Sequence, residues 1–414
     1  MRERSSPYLQ LPLITAIRVL FNTAYRMAYP FLGVFARGLG VDLAAMSLAL
    51  TTRSVVGGIA PLLAPVADRR GRKVGMLLGI TLLIGGSALV AFWPTFPALA
   101  ISLTLTTLGK YIFDPAMQAY LGDRVDYEQR GLVIAVTEMG WSLSFIFGIP
   151  LAGFLIARNG WVAPFPLIAL LSALTFAILF LTLPEDPTPT NGRGSPKRNL
   201  RLVLTSAPAL AGLSLGLWAT VANEVVNLIF GVWLEDSLRT WIGPEGFGGV
   251  LAFLNFFRTT LGFDIALLIL ASIVIGFSEL GGESLVAMLA DRLGKERAIA
   301  LGLVANNLAA LLLPLLGTTA LGALVGLFLF YITFEFTLVS IIPLMTEVLP
   351  EARATLMAFN VAALSLGRAL GAPLAPFLYR FGLPAVVLGA VCFNVLALLA
   401  LRWVRRPPRQ EEAP

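Results

Sequence analysis

The chain is 414 residues long, 57% of them apolar and 13% charged, with a mean hydropathy of +0.83. A soluble domain carries about twice that share of charge, and one this apolar could not cover its core with polar surface, so the composition is that of a polytopic membrane protein. A single cysteine, Cys392, excludes a disulfide scaffold; the absence of histidine excludes a Ser-His-Asp hydrolase and argues against zinc or haem.

Met1-Arg-Glu-Arg puts charge ahead of an apolar stretch, as a signal peptide does. The run from Leu11 is long and polar-studded and no small-residue cleavage site closes it, so it reads as a retained first helix. Twelve predicted spans of the length a bilayer needs follow in order: 12–36, 44–66, 74–94, 97–120, 131–157, 162–183, 206–234, 264–290, 297–317, 320–346, 354–378 and 383–403. Gly and Pro recur inside them, which membrane helices tolerate.

With both termini placed inside, 20 of the 30 Lys and Arg fall in inner segments, five inside spans, and five outside (Arg37, Arg158, Arg239, Arg258, Arg380). That asymmetry is the positive-inside signal. It accounts for the net charge of +6 and the pI near 9.7 by topology, without a nucleic-acid partner. The expectation is a multi-pass protein of a prokaryotic plasma membrane, with both termini cytoplasmic and no oligomerisation signal beyond a monomer.

Residues 184–205, rich in Pro, Gly and charge, read as a mobile cytoplasmic linker between an N-terminal six-helix bundle (1–183) and a C-terminal one (206–414). The halves repeat at an offset of 223. Ala64-Pro-Val-Ala-Asp68-Arg69-Arg70-Gly71-Arg72 matches Ala287-Met-Leu-Ala-Asp291-Arg292-Leu293-Gly294-Lys295. Glu128-Gln-Arg130 matches Glu351-Ala-Arg353, and Gly148-Ile-Pro150-Leu-Ala-Gly153 matches Gly371-Ala-Pro373-Leu-Ala-Pro376. Parallel six-helix repeats mark one transporter architecture. In the long segment after the seventh span, Gly249–Phe257 is expected either as a short interfacial amphipathic helix or as an ordered outer loop.

On these motifs the chain resembles the major facilitator superfamily over essentially its whole length. The family's loop 2–3 signature, G-x-x-x-D-R/K-x-G-R-R/K, appears with Ala64 for the first glycine, and its echo stands between helices 8 and 9. The resemblance implies an all-α fold of twelve helices in two pseudo-symmetric bundles. It implies a gating role for Asp68, Arg69, Gly71 and Arg72, with Asp68 against the N-terminus of helix 11, Arg72 reaching Asp123 at the end of helix 4, and Asp291, with Arg292 and Gly294, near Arg130 of helix 5. The alternative is that these charges only enforce topology. Gly148, Pro150 and Gly153 resemble, in part, the antiporter signature of the drug–proton branch; ordinary close packing by small residues explains them equally.

Ionisable groups at membrane depth are costly and are functional candidates. They are Arg18 and Arg26 in helix 1, Arg53 in helix 2, Lys110 and Asp114 in helix 4, Glu138 in helix 5, Glu224 in helix 7, Glu279 and Glu283 in helix 8, Glu335 in helix 10 and Arg368 in helix 11. Lys110 and Asp114, spaced i,i+4, share a helix face; they are either a self-neutralising pair or a salt bridge whose carboxylate takes a proton. Without histidine, carboxylates must carry any proton relay. Aligning Phe31–Phe35 with Ile229–Trp233, at an offset of 198, puts Arg26 opposite Glu224. The resemblance places helices 1 and 7 at the central cavity, so an Arg26–Glu224 pair is expected there, with Asn22, Tyr25, Tyr29, Asn223 and Asn227 able to bind a substrate or to pack. Glu279 and Glu283 repel, so one should be protonated or find an arginine. Glu335 and Arg368 are candidates to pair, and Arg53 is expected to partner Asp114 or Glu138. Trp141, Phe145, Phe147 and Trp218 face lipid or line an apolar cavity.

The function expected is proton-coupled export of a small amphipathic molecule by alternating access, with the proton as coupling ion and no cofactor or metal. The alternatives are uptake of a sugar or organic anion, and lipid or lysolipid transport. The intact gating motifs disfavour a non-transporting receptor, and no nucleotide loop, metal cluster or nucleophile motif suggests an enzyme.

Overall fold

The computed structural model describes residues 7–59, 71–125, 127–184, 196–241 and 262–404. Every described element is helical, and ten helices are long and apolar enough to cross a bilayer. Numbered by span, α1 has two arms, Pro7–Arg26 and Leu32–Leu39, and α2 is Leu43–Gly58. Then come α3 (Arg72–Phe92), α4 (Phe96–Arg124), α5 (from Tyr127 to Asn159, in pieces) and α6 (Pro164–Thr182). The second half has α7 in two arms, Ala207–Asn227 and Phe230–Trp241, then α8 (Phe263–Leu293), α9 (Lys295–Leu316), α10 (Ala320–Val348), α11 (Arg353–Tyr379) and α12 (Leu383–Leu401). Several starts carry side-chain caps: Asp42, Thr95, Ser206 and Thr319 each accept from a backbone N–H three residues on.

Two breaks shape the centre. In α1, Pro30 has no N–H to give the carbonyl of Arg26, and the Tyr29 N–H takes that oxygen instead, at 3.0 Å. The turn at 27–31 follows. In α7 the break spans only Leu228 and Ile229. The two breaks touch: a Cβ on Gly231 would run into the carbonyl of Pro30. α5 is interrupted by one π turn at Ser144–Gly148, directly before Pro150.

The halves meet along α2 with α11, along α5 with α8, and at the outer arms of α1 and α7. Ser47 Oγ donates to the carbonyl of Ala372 at 3.0 Å, and the hydroxyls of Tyr111 and Ser365 lie 2.8 Å apart.

Part of the expected linker is ordered. Pro196–Thr205 is a helix that buries Val203 against α7 and the 3-10 turn Pro350–Ala352. Proline at the first helical position is compatible with a helix start. Asn199, Leu202 and Val203 share its less exposed face at helical spacing. Only two of the three are apolar, and the surrounding charge obscures the pattern further. Residues 185–195 and Gly249–Phe257 lie outside the described residues.

Candidate functional site

The break in α1 sets up the centre of the molecule. With the Tyr29 N–H turned to Arg26, the Tyr25 carbonyl loses its i+4 donor, and Arg53 of α2 takes it through Nη1. Arg53 is fully buried, its guanidinium 4.0 Å from the centre of the Tyr25 ring and 5.1 Å from that of Tyr29. The expected partnership of Arg53 with Asp114 or Glu138 is therefore corrected, since both carboxylates are already held by other cations.

Arg26 does not pair with Glu224 as the repeat alignment suggested. It grips Glu279 of α8 through both terminal nitrogens, one contact measuring 3.0 Å, and donates to the Trp141 carbonyl at 3.0 Å. Its guanidinium lies between the rings of Trp141 and Phe145, 3.9 and 3.8 Å from their centres. Phe145 lies in the π turn and Trp141 in the helical turn before it. The alignment fails here because the breaks differ in length: Arg26 ends the first arm of α1, whereas Glu224 lies three residues before the end of its arm. Tyr29, inside the break, reaches Glu224 instead, at 3.0 Å. Glu279 has found its arginine, while Glu283 accepts from Ser142 at 3.3 Å.

A second cluster joins α1, α4 and α5. Arg18 contacts Glu138 at 2.6 Å and Asp114 at 3.5 Å, and Lys110 contacts Asp114 at 2.7 Å. Gln118 adds a donor to Glu138 at 3.2 Å. Sequence reasoning named Arg18 without a role; here it bridges the two carboxylates. Trp141 links the clusters, since Lys110 Nζ lies 5.7 Å from the ring that Arg26 covers.

Between the halves, Arg26 and Glu279 border a small cavity of about 30 Å³ that Tyr25, Trp141, Glu335 and Arg368 also line. Glu335 and Arg368 face it without pairing, and neither makes a hydrogen bond or an ion pair with any described residue. Asn223 also lines the cavity, its Oδ1 without a partner, while Asn227 accepts from Tyr331 at 2.7 Å. Asn22 is fully buried with neither amide atom hydrogen-bonded. Of the other aromatics, Phe147 is exposed on the surface of the bundle and Trp218 stacks on Phe393.

In the loop signature, Asp68 and Arg69 lie outside the described residues, as do the side chains of Asp123 and Asp291. Gly71 and Gly294, equivalent in the repeat, both have positive φ, +90° and +80°, where an L side chain is strained. Each sets a basic residue at the start of the next helix. Arg72 donates to the Ala119 carbonyl near the end of α4 at 2.6 Å, and Lys295 pairs with Glu347 near the end of α10. Arg292 is exposed. The Lys295–Glu347 link was missed, although the position of Lys295 opposite Arg72 was visible in the repeat. In α5, a Cβ on Gly148 would collide with Thr23 of α1, and one on Gly153 would come within 2.6 Å of Ile269 and 2.8 Å of Phe31. Pro150 follows the π turn. Gly371, the repeat equivalent of Gly148, likewise leaves room for Glu224.

Residues 14–355 match the family model described as Major Facilitator Superfamily. The chain is 27% identical over 389 residues to "Inner membrane transport protein YdhP" of Escherichia coli K12, covering 91% of each. It is 26% identical over 376 residues to "Uncharacterized MFS-type transporter YwfA" of Bacillus subtilis, covering 89% of this chain and 85% of that one. The solved inward-open xylose transporter XylE from E. coli superposes with a TM-score of 0.73 at 16% identity, covering 97% of each chain. With two repeated six-helix halves around a central charged cavity, the chain belongs to the Major Facilitator Superfamily and is a multi-pass membrane transporter working by alternating access.

Proposed function

We propose that this transporter is proton-coupled and exports a small amphipathic molecule, with the proton carried by the Arg18–Asp114–Lys110–Glu138 cluster. The observation behind this reading is that two carboxylates and two cations balance there, one indole away from the ion pair that joins the halves. A proton on Asp114 would remove the charge that holds Lys110 and weaken the hold on Arg18. The cations would then be free to reorganise around Trp141 and Ser142, both in contact with groups that engage α8. A ligand that binds one state of the cavity better than the other shifts the same equilibrium. Aromatic walls beside charged groups suit an amphipathic ligand.

The test is transport by protein reconstituted in liposomes with an internal pH dye. A proton gradient is imposed and lipophilic cations, sugars, organic anions and lysolipids are added in turn. Ligand-triggered proton flux is expected, and Asp114→Asn should abolish it while leaving the protein folded. Full coupling in that variant would remove Asp114 from the proton path. A second reading, movement of an organic anion, is favoured by the Arg368 guanidinium, which lines the cavity in the field of Glu224 but forms no ion pair or hydrogen bond with any described residue.

A further inference from the structure

The cavity is lined by a carboxyl and a guanidinium group that form no hydrogen bond or ion pair with each other. Glu335, on α10, is 5% exposed, lines the cavity, and has no hydrogen bond or ion pair with any described residue. Arg368, on α11, lines the same cavity and is equally without such a partner. Buried charges are retained at such cost when something else satisfies them. The nearest opposite charges among the described residues are hydrogen-bonded elsewhere: Arg26 to Glu279, and Glu224, whose field reaches Arg368, to the Tyr29 hydroxyl. An amide oxygen, Oδ1 of Asn223, stands unpaired beside them.

The surroundings give the cavity a polarity. On the α8 and α10 side stand Glu279, Glu283 and Glu335, with Arg26 bound to Glu279. On the α2 and α11 side stand Arg53 and Arg368, and the carboxylate near them is Glu224. One wall therefore has an excess of carboxyl groups and the other an excess of guanidinium groups.

We infer that the cavity binds a small zwitterion, with its ammonium on Glu335 and its carboxylate on Arg368. This rests on the cavity being the transport site. A molecule with only one of the charges satisfies one side chain and leaves the other exposed to the cavity without a partner, which is how buried polar sites discriminate. Asn223 Oδ1 is a further acceptor for the ammonium. Trp141 and Phe334 supply apolar contact for the remainder of the ligand. The present volume holds little more than a water molecule, so the ligand enters with the halves further apart and the two charges closing on it.

The inference is tested by binding, without a gradient. Purified full-length protein in nanodiscs is titrated with alanine, leucine and phenylalanine, with the matching amines (ethylamine, isopentylamine, phenethylamine), and with the matching acids (propanoate, 4-methylpentanoate, 3-phenylpropanoate). The readout is the shift in thermal unfolding. At least one zwitterion is expected to bind tenfold or more tightly than its amine and its acid. Glu335→Gln should reduce that zwitterion to the affinity of the acid, and Arg368→Gln to that of the amine. Glu335→Asp and Arg368→Lys should retain part of the preference, which separates a lost contact from a damaged fold. Equal binding of singly charged and zwitterionic ligands, or no binding by any zwitterion, overturns the assignment. Proton flux driven by a singly charged substrate, with no zwitterion preference, would leave coupled transport standing and remove this inference alone. Zwitterion binding with no flux would do the reverse.

Discussion

Arg37 and Glu235, 198 residues apart and equivalent in the two halves, bind each other through two contacts of 2.7 and 3.1 Å. Each sits in the short arm beyond the break of its helix, α1 in one case and α7 in the other. Beside them, the Tyr379 hydroxyl at the end of α11 donates to Asp236 at 2.8 Å. The Tyr379 bond lies within the C-terminal half, whereas the Arg37–Glu235 pair ties the two halves at one end of the cavity, and alternating access requires that pair to part.

The Arg37 side chain is 61% exposed and that of Glu235 9%; water at the arginine end screens the pair and keeps its worth near that of exposed pairs, about 0.2–1 kcal/mol. Arg37→Ala should therefore raise the population open at that end by no more than about fivefold. The measurement is the labelling rate of a cysteine placed at Asn227, in a Cys392→Ser background, by a membrane-impermeant reagent. Either Arg37→Glu or Glu235→Arg alone should speed labelling, and the charge swap should slow it again. Unchanged rates in both single variants would show that the pair does not hold the ends together.

Gly148 and Gly85 both lie within helices but should respond oppositely to alanine. At Gly148 the new methyl meets the branched Thr23, with Cβ of that residue 3.0 Å away; overpacking of this kind costs about 1–3 kcal/mol. At Gly85 nothing lies within 4 Å, and relief of the glycine's backbone entropy should stabilise by about 0.5–1 kcal/mol. Thermal unfolding in detergent should show a lower midpoint for Gly148→Ala and a higher one for Gly85→Ala. A Gly148→Ala midpoint at or above the parent would mean α1 and α5 can separate freely there.

The spans were legible in the sequence because each needs only its own hydropathy. The Lys110–Asp114 contact was legible because helix geometry alone brings i and i+4 together. The repeat offset of 223 likewise foreshadowed the matched backbones of Gly71 and Gly294. The central pairings were hidden for a different reason. Arg26 meets Glu279 across 253 residues, and that meeting depends on how two helices are rotated about their axes. Arg53 answers a carbonyl that only the break in α1 exposes; Pro30 signalled the break, but not which side chain would answer it.

Gly294 offers a test of the loop echo between α8 and α9. Its φ of +80° makes alanine strained by about 1–2 kcal/mol, and the same strain displaces the start of α9, from which Lys295 reaches Glu347. Gly294→Ala should lower the unfolding midpoint more than Lys295→Ala, because the ion pair it disturbs is partly exposed, with Glu347 at 43%. If Lys295→Ala proves the more damaging, the ion pair and not the turn is what the motif maintains.

The Arg18 cluster separates a buried charge from a buried pair. The Arg18 side chain is 4% exposed and stands between Asp114 and Glu138. Arg18→Gln leaves two carboxylates with only Lys110 between them, and uncompensated buried charge costs about 3–5 kcal/mol. Glu138 is 42% exposed at its side chain, so water takes up part of that loss. Adding Asp114→Asn to Arg18→Gln removes one of the orphaned charges and should recover a measurable part of the stability, so that the double variant unfolds at a higher temperature than Arg18→Gln alone. Additive losses in this cycle would mean that Arg18 and Asp114 are energetically independent. A proton arriving at Asp114 could then not be felt by Arg18, and the coupling route through this cluster would fail with it.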